Sequence, residues 1–296
     1  MKAVFTEALG EEVEVELLQA IGRGDECCEF VVNPGPRRSK CTRDCWRERG
    51  MASSDPSTLQ HFPWQDSIWA VKAAIDFHSY DEFCEYLRHN LPLNSPESRK
   101  KYTSLITHRY FSDHSLANLQ VQVWRHYRDE DILADVMRVA TLEAEPVIAN
   151  FVVEELLPRP PGTVLDSEVP RTFIERTFGE FNKKSYERLV STARHLGFVG
   201  RYNRQVLIEA IATPADAMLI LLHDRLAPTP RIVRLAEVLE GHWWRYLGLR
   251  SADAVRDVLR AGESAGLLAR YAIVDELEQV TTRFSRNEYI EKALLL

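Results

Sequence analysis

From residue 64 onward the apolar positions recur every three or four residues, the spacing of helices that bury one face. Ile68, Trp69, Val71, Ala74 and Ile75 predict a helix over 64–77. Ser79 or Asp81 caps a second helix, with Phe83, Tyr86 and Leu87 on its inner face. Ser95 followed by Pro96 and Glu97 is a start signal: a capping hydroxyl, then a residue whose fixed φ suits the first turn. That helix runs to Phe111. Ile132, Leu133, Val136, Met137 and Val139 form one apolar face in the acidic middle, and Val147, Ile148, Phe151, Val152 and Leu156 form another. They predict two packing helices over 129–157. Pro158, Pro160, Pro161 and Gly162 end them and mark a boundary.

Beyond that boundary one layout appears twice. A leading helix over 165–178 carries Val169, Phe173 and Ile174 inward. Asn182 then caps a helix with Tyr186, Leu189, Val190 and Ala193 on one face. Gly197 stops it, and Phe198 and Val199 open an extended segment. Further on, Pro214 starts a helix over 215–226, Pro230 starts another to Leu239, and Ser251 caps a third that Gly266 stops. The two ends align, with Arg188 against Arg256 and, after a one-residue insertion, Arg201-Tyr202 against Arg270-Tyr271. Residues 272–284 supply a second hairpin, and 285–295 a closing helix. Helix, glycine stop and strand are the parts of a winged helix-turn-helix. The expected fold is therefore mainly α: a helical domain with one or two winged helix-turn-helix units and a short β-hairpin segment at the N-terminus. The expected domains are a strand piece (1–34), a flexible linker (35–60), a helical domain (61–162) and two winged-helix-like units (163–212 and 213–296).

The N-terminal pattern differs in period. Val13, Val15 and Leu17 alternate with glutamates, and Cys28, Phe30 and Val32 alternate after a turn at 22–25. Through Gly24, Asp25, Cys28 and Phe30 this segment resembles the closing end of the 4-vinyl reductase (V4R) ligand-binding domain. The match covers about 25 residues and lacks the bulk of such a domain, so it implies a remnant and no pocket. Residues 35–60 hold little to bury. Met51 opens a stretch that reads as a natural start of the folded body.

Charge sharpens the picture. The 296-residue chain has a net charge of −7, which argues against indiscriminate coating of nucleic acid. Yet residues 171–208 carry eight Lys and Arg against three Glu, and residues 88–128 carry seven against two acids. In 251–284 acids outnumber bases six to four, which makes the second unit the poorer binder of DNA and the better candidate for a protein contact. No apolar run is long enough to span a membrane and the N-terminus is too acidic for a signal peptide, so a cytoplasmic protein is expected. Four of the five cysteines, Cys27, Cys28, Cys41 and Cys45, lie in the first 50 residues. They match the ligand count of a structural zinc site, but the adjacent Cys27-Cys28 fits the usual spacing poorly. Unrelated reduced thiols are expected, with no metal and no cofactor. None of the nine histidines forms an H-E-x-x-H pair, and no P-loop, nucleotide fingerprint or G-x-S-x-G is present. No catalysis is expected.

The run Ser95-Pro-Glu-Ser-Arg-Lys-Lys-Tyr to His108-Arg-Tyr-Phe, the helical pair leading to Gly162-Thr-Val-Leu, and the helix over 185–197 with its following strand resemble the BrxA family of bacteriophage-exclusion (BREX) systems over 65–210. The resemblance implies a winged-helix, DNA-binding accessory of a phage-defence complex, with double-stranded DNA and other defence proteins as partners. It puts Arg99, Lys100, Lys101 and Arg109 on a basic helix, Lys183, Lys184, Arg188 and Arg194 on a recognition-like helix, and Arg201 and Arg204 at the wing. Lys183, Lys184 and the wing arginines would contact phosphates, while Asn182 and Arg188 reach base edges. Two alternatives stay open. One is an assembly subunit that uses Trp243, Trp244 and Tyr246 as an interface, although these could equally be the hub of the second unit. The other is a ligand-sensing regulator. DNA binding predicts both positive regions on one face; assembly predicts exposed aromatics.

Overall fold

The structure, a computed structural model, describes residues 13–19, 29–34, 63–274 and 277–292. Two compact units result, Met1–Ser54 and Asp55–Leu296. In the first, β1 (Val13–Gln19) pairs antiparallel with β2 (Glu29–Pro34), Val15 opposite Val32 and Leu17 opposite Phe30. The alternating pattern anticipated both strands. Gly24, Asp25, the four N-terminal cysteines and the linker lie outside the described residues.

The second unit is mainly helical. Its helices are α1 (Trp64–Ala73), α2 (Tyr80–Asn90), α3 (Pro96–Tyr110), α4 (Leu119–Tyr127), α5 (Glu130–Ala144), α6 (Pro146–Phe151), α7 (Glu168–Phe178) and α8 (Lys183–His195). After the hairpin β3 (Val199–Tyr202) and β4 (Gln205–Ile208) come α9 (Ala215–Arg225), β5 (Ile232–Arg234), α10 (Leu235–Glu240) and α11 (Trp243–Tyr246). The chain then forms α12 (Ala252–Ser264), β6 (Leu268–Val274), β7 (Leu277–Thr282) and α13 (Arg286–Lys292). Side-chain caps anticipated from sequence are formed: Ser95 Oγ accepts from Ser98 N at 3.1 Å, Asn182 Oδ1 from Ser185 N at 3.1 Å and Ser251 Oγ from Ala254 N at 3.2 Å. Each satisfies a donor that a bare helix start leaves open.

Several expectations are corrected. The helix expected from Pro230 is a strand followed by a short helix, because Ile232-Val233-Arg234 pairs with β7 and buries Val233. The helix expected from residue 165 begins at Glu168, because 162–165 runs beside β4: Leu165 N donates to Val206 O (2.7 Å) and Ile208 N to Thr163 O (2.9 Å). The second packing helix ends in a π-helical turn, Val152–Leu156, before the prolines. Helices α4 and α11 were not among those expected. One continuous hydrophobic cluster runs from Trp64 to Ile290, so the breaker at 158–162 ends a helix without ending the core.

The element order after the breaker is traced twice. In the first sheet 162–165 flanks β4, which pairs β3; in the second β5 flanks β7, which pairs β6. In both, the last strand is central and the strand after the long helix is at the edge. Both long helices close with the same bonds. Gly197 N donates to Arg194 O and Phe198 N to Ala193 O; Gly266 N donates to Glu263 O and Leu267 N to Gly262 O. This is the Schellman closure, which needs a left-handed residue at the turn, and Gly197 (φ +81°) and Gly266 (φ +74°) supply it. Arg250 ties the second copy to the end of the π-helical turn and to the first copy: its Nη1 donates to Leu157 O at 2.7 Å and Arg159 O at 2.5 Å, and its Nη2 to Glu209 O at 3.3 Å.

A buried histidine gives the body a pH dependence. His223 on α9 donates from Nδ1 to Leu219 O (2.8 Å) and stacks on Tyr289, while Nε2 has no partner among the described residues. Burial lowers its pKa. The unfolded chain then binds the proton more readily, so stability falls as pH drops below the unfolded value of about 6.5. Each pH unit below that, down to the folded value, costs up to about 1.4 kcal/mol. The melting temperature of the native chain should therefore fall more between pH 7.5 and pH 5 than that of His223→Phe; equal drops would mean the ring is not held neutral.

Candidate nucleic-acid interface

The sequence-predicted residues on α8 and the β3–β4 hairpin come together in one supersecondary unit. Gly179, in the left-handed region (φ +83°), ends α7, and Asn182 starts α8 three residues later. The inner face of α8 buries Leu189, Val190 and Ala193. Its outer face carries Lys184, Arg188, Ser191 and Arg194 at helical spacing, with Arg188 half-buried and Lys184 and Arg194 exposed. Lys183 is 3.8 Å from Glu187, an exposed pair worth little.

The other end of α8 is held from the helical body. Arg138 on α5 donates from Nε to Leu196 O at 2.7 Å and from Nη1 to Asp135 at 2.6 Å, with its guanidinium 5.9 Å from the Phe198 ring. The side chain is buried, and its charge sits at the negative end of the α8 dipole. Burial pushes the Asp135 pKa up against the pull of Arg138. Neither residue was singled out from the sequence. A lone Arg on a helix face carries no signal that its partner lies 58 residues away.

The hairpin turns tightly, with Tyr202 paired to Gln205. Both turn residues, Asn203 (φ +45°) and Arg204 (φ +68°), have positive φ, the type I′ geometry. Arg204 occupies the position that glycine takes most easily. Arg201, Tyr202 and Arg204 are exposed, Tyr202 by 64%. Lys184, Arg194, Arg201 and Arg204 form no ion pair with a described residue. Strain retained beside a basic cluster yields a split prediction. Arg204→Gly should stabilise the fold by roughly 0.5–1 kcal/mol and weaken duplex binding by about tenfold through one lost phosphate contact. Melting curves and a DNA titration on the same samples check it; unchanged binding would remove Arg204 from the interface.

No family model, curated protein or solved structure matches this chain.

In the second copy two helix arginines are closed off by carboxylates. Arg256, the counterpart of Arg188, donates from Nε and Nη2 to the two carboxylate oxygens of Glu278 on β7 (2.7 and 2.8 Å) and from Nη1 to Asp253 (2.7 Å). The Tyr271 hydroxyl bonds Glu278 as well. Hydrogen bonds from Arg256, then Tyr271, hold the Glu278 carboxyl down to about 2. Arg260 lies 3.6 Å from Asp257. The alignment located Arg256; Glu278 lies 22 residues further on and was missed.

Other predicted residues fall elsewhere. On α3, Lys100 and Lys101 are exposed, but Arg99 donates to the Arg88 and Leu93 carbonyls (3.1 and 2.6 Å), fixing the α2–α3 connection. Arg109 is buried and paired with Glu145, so it is a core ion pair and not a surface cation. The reason is register: it shares the inner side of α3 with Ile106 and Tyr110. Helix α3 packs on α1, α2 and α5, whereas α8 packs on α6, α7 and β3, so the two basic regions do not share a principal packing partner. Trp243, Trp244 and Tyr246 are all buried, where α11 packs on α5 and the π-helical turn; Trp244 Nε1 donates to Leu239 O at 3.2 Å. They are core and not an exposed interface. Among the described residues no group of three His, Cys, Asp or Glu is placed to hold a metal, and no helix is long and apolar enough to cross a membrane.

Proposed function

We propose that this chain binds duplex DNA without catalysing a reaction, through a winged helix-turn-helix formed by 163–212. In this reading α7 and α8 are the helix-turn-helix, α8 enters the major groove, and the β3–β4 hairpin is the wing. The second copy, 213–296, is a winged helix whose helix arginines Arg256 and Arg260 are internally neutralised. One contrast carries the reading: Lys184, Arg194, Arg201 and Arg204 of the first copy are exposed and form no ion pair with a described residue, whereas Arg256 and Arg260 of the second are paired to Glu278, Asp253 and Asp257. Exposed cations on a helix and its basic turn suit phosphate oxygens, and an arginine held by a bidentate carboxylate does not. The biological setting, an accessory of a bacteriophage-exclusion system of the BrxA kind acting with other defence proteins, follows from the resemblance of 65–210.

A duplex-DNA titration of the full chain across a salt series tests the proposal. Phosphate contacts release counterions, so log K should fall linearly with log[salt], with a slope near −0.9 per contact. Micromolar or tighter binding at low salt with a steep slope is the expected result. Absence of binding at low salt overturns the proposal.

A further inference from the structure

We propose that the outer edge of β6 pairs with β6 of a second copy of this chain, making a twofold dimer through a continuous six-stranded sheet. This inference is independent of DNA binding. In the second sheet β7 is central, and the far edge of β6 meets no described strand. Edges of this kind are sites of strand addition unless charge, proline or a covering element blocks them. Here those devices are few, and the register shift of β6 lies between Leu268 and Arg270, outside the stretch 271–273. The strand Leu-Ala-Arg-Tyr-Ala-Ile-Val contains no proline and one charge, Arg270. At the turn end of the β6–β7 hairpin Ile273 (60%), Val274 (48%) and Leu277 (58%) are exposed, and with Ile232 they make four of the seven large exposed hydrophobics among the described residues.

The register of the hairpin decides which groups are free. Val274 and Leu277 are opposite each other across a two-residue connection, a pair that exchanges both backbone bonds. Alternation then turns the N–H and C=O of Ile273 and Tyr271 away from β7, toward the open edge. A second β6 running antiparallel, with Ala272 opposite Ala272, places Tyr271 of each copy opposite Ile273 of the other. That forms two aromatic–β-branched cross-strand pairs. Ala272 then falls at the close, non-hydrogen-bonded position on the axis, where Cα atoms approach to about 4.5 Å and a small side chain fits.

Charge selects the same occupant. In this register the two Arg270 side chains stand four residues apart along the strands, about 13 Å, beyond a screening length of about 8 Å in physiological salt. Each lies opposite Val274 instead of another cation. The equivalent edge of the first sheet, β3, carries Arg201 within a four-residue strand beside Arg204, so self-pairing there would crowd like charges. One edge repels a second copy and the other accepts it.

Sedimentation equilibrium of the full chain, from micromolar to a hundred micromolar, should show a species of twice the chain's 34.1 kDa. Ile273→Pro removes an outward N–H that the intramolecular ladder does not use, so it should abolish the dimer and leave the circular dichroism spectrum intact. Ile273→Lys adds charge to an exposed side chain without touching the backbone and should act alike if the proline disturbs the hairpin. A chain that stays monomeric throughout, or a dimer that survives in both variants, overturns the proposal.

Discussion

Replacing Lys184, Arg188, Arg201 and Arg204 together with alanine is expected to weaken duplex binding roughly thousandfold at 0.1 M salt. Each contact with a phosphate adds about 0.9 to the salt slope, which corresponds to nearly a decade of affinity at that salt concentration. Three lost phosphate contacts should therefore flatten the slope by about 2.7, and the loss of Arg188 from a base edge should lower affinity further without changing the slope. Lys184, Arg201 and Arg204 are exposed, so removing them leaves the core untouched; Arg188 is half-buried, and circular dichroism checks its cost. The paired variant Lys100→Ala and Lys101→Ala on α3 is the comparison. These residues are equally basic and exposed, but α3 packs chiefly on α1, α2 and α5, away from the principal partners of α8. If both variants lose affinity alike, binding is diffuse attraction to any cation. If only the first does, the α8–hairpin surface is the interface.

The second large effect is on stability. Arg138→Ala should destabilise the fold by about 3 kcal/mol, the cost of breaking a buried charged pair. For a body of this size that is roughly 6–12 °C in melting temperature. Two partners are orphaned at once: the Leu196 carbonyl at the end of α8 and the Asp135 carboxylate. The pH dependence identifies the second. Asp135 already has a raised pKa from burial, and losing Arg138 raises it further. With the folded pKa above the unfolded one, the native state binds more protons between them, so stability falls as pH rises through that window. The deficit of Arg138→Ala should accordingly shrink as pH is lowered toward about 4, and Asp135→Ala in the same chain should recover part of it at pH 7. A deficit independent of pH and unrelieved by the second change would show that only the carbonyl contact mattered.

These two predictions differ in how far the sequence anticipated them. The cations of α8 and the hairpin were named from sequence because their signals are local. A capping Asn182, a basic stripe at helical spacing, a stopping Gly197 and a strand all fall within about twenty residues. Local rules of hydrogen bonding and backbone sterics act on such stretches whatever surrounds them. Ser95, Ser251 and Gly266 were legible for the same reason, and so was the alternation that forms β1 and β2. The shared layout of the two copies was visible through the Arg188–Arg256 alignment.

What tertiary structure alone decided is which of those side chains meet a partner. Arg109 and Lys101 lie on the same helix, yet packing buries the first against Glu145 and leaves the second in solvent. Trp243 and Trp244 read equally as interface or core until α11 is seated on α5. Residues 162–165 run beside β4 and 232–234 form a strand because β4 and β7 offer them backbone partners more than forty residues away. Arg256 and Arg188 hold matching places in sequence, but the carboxylate that holds Arg256 is brought by β7 from 22 residues further along the chain. Helix starts, stops and faces follow from short-range bonding and are written in the chain. Neutralisation of a charge, burial of an aromatic and choice of a sheet partner depend on residues far along the chain, and only the folded arrangement supplies them.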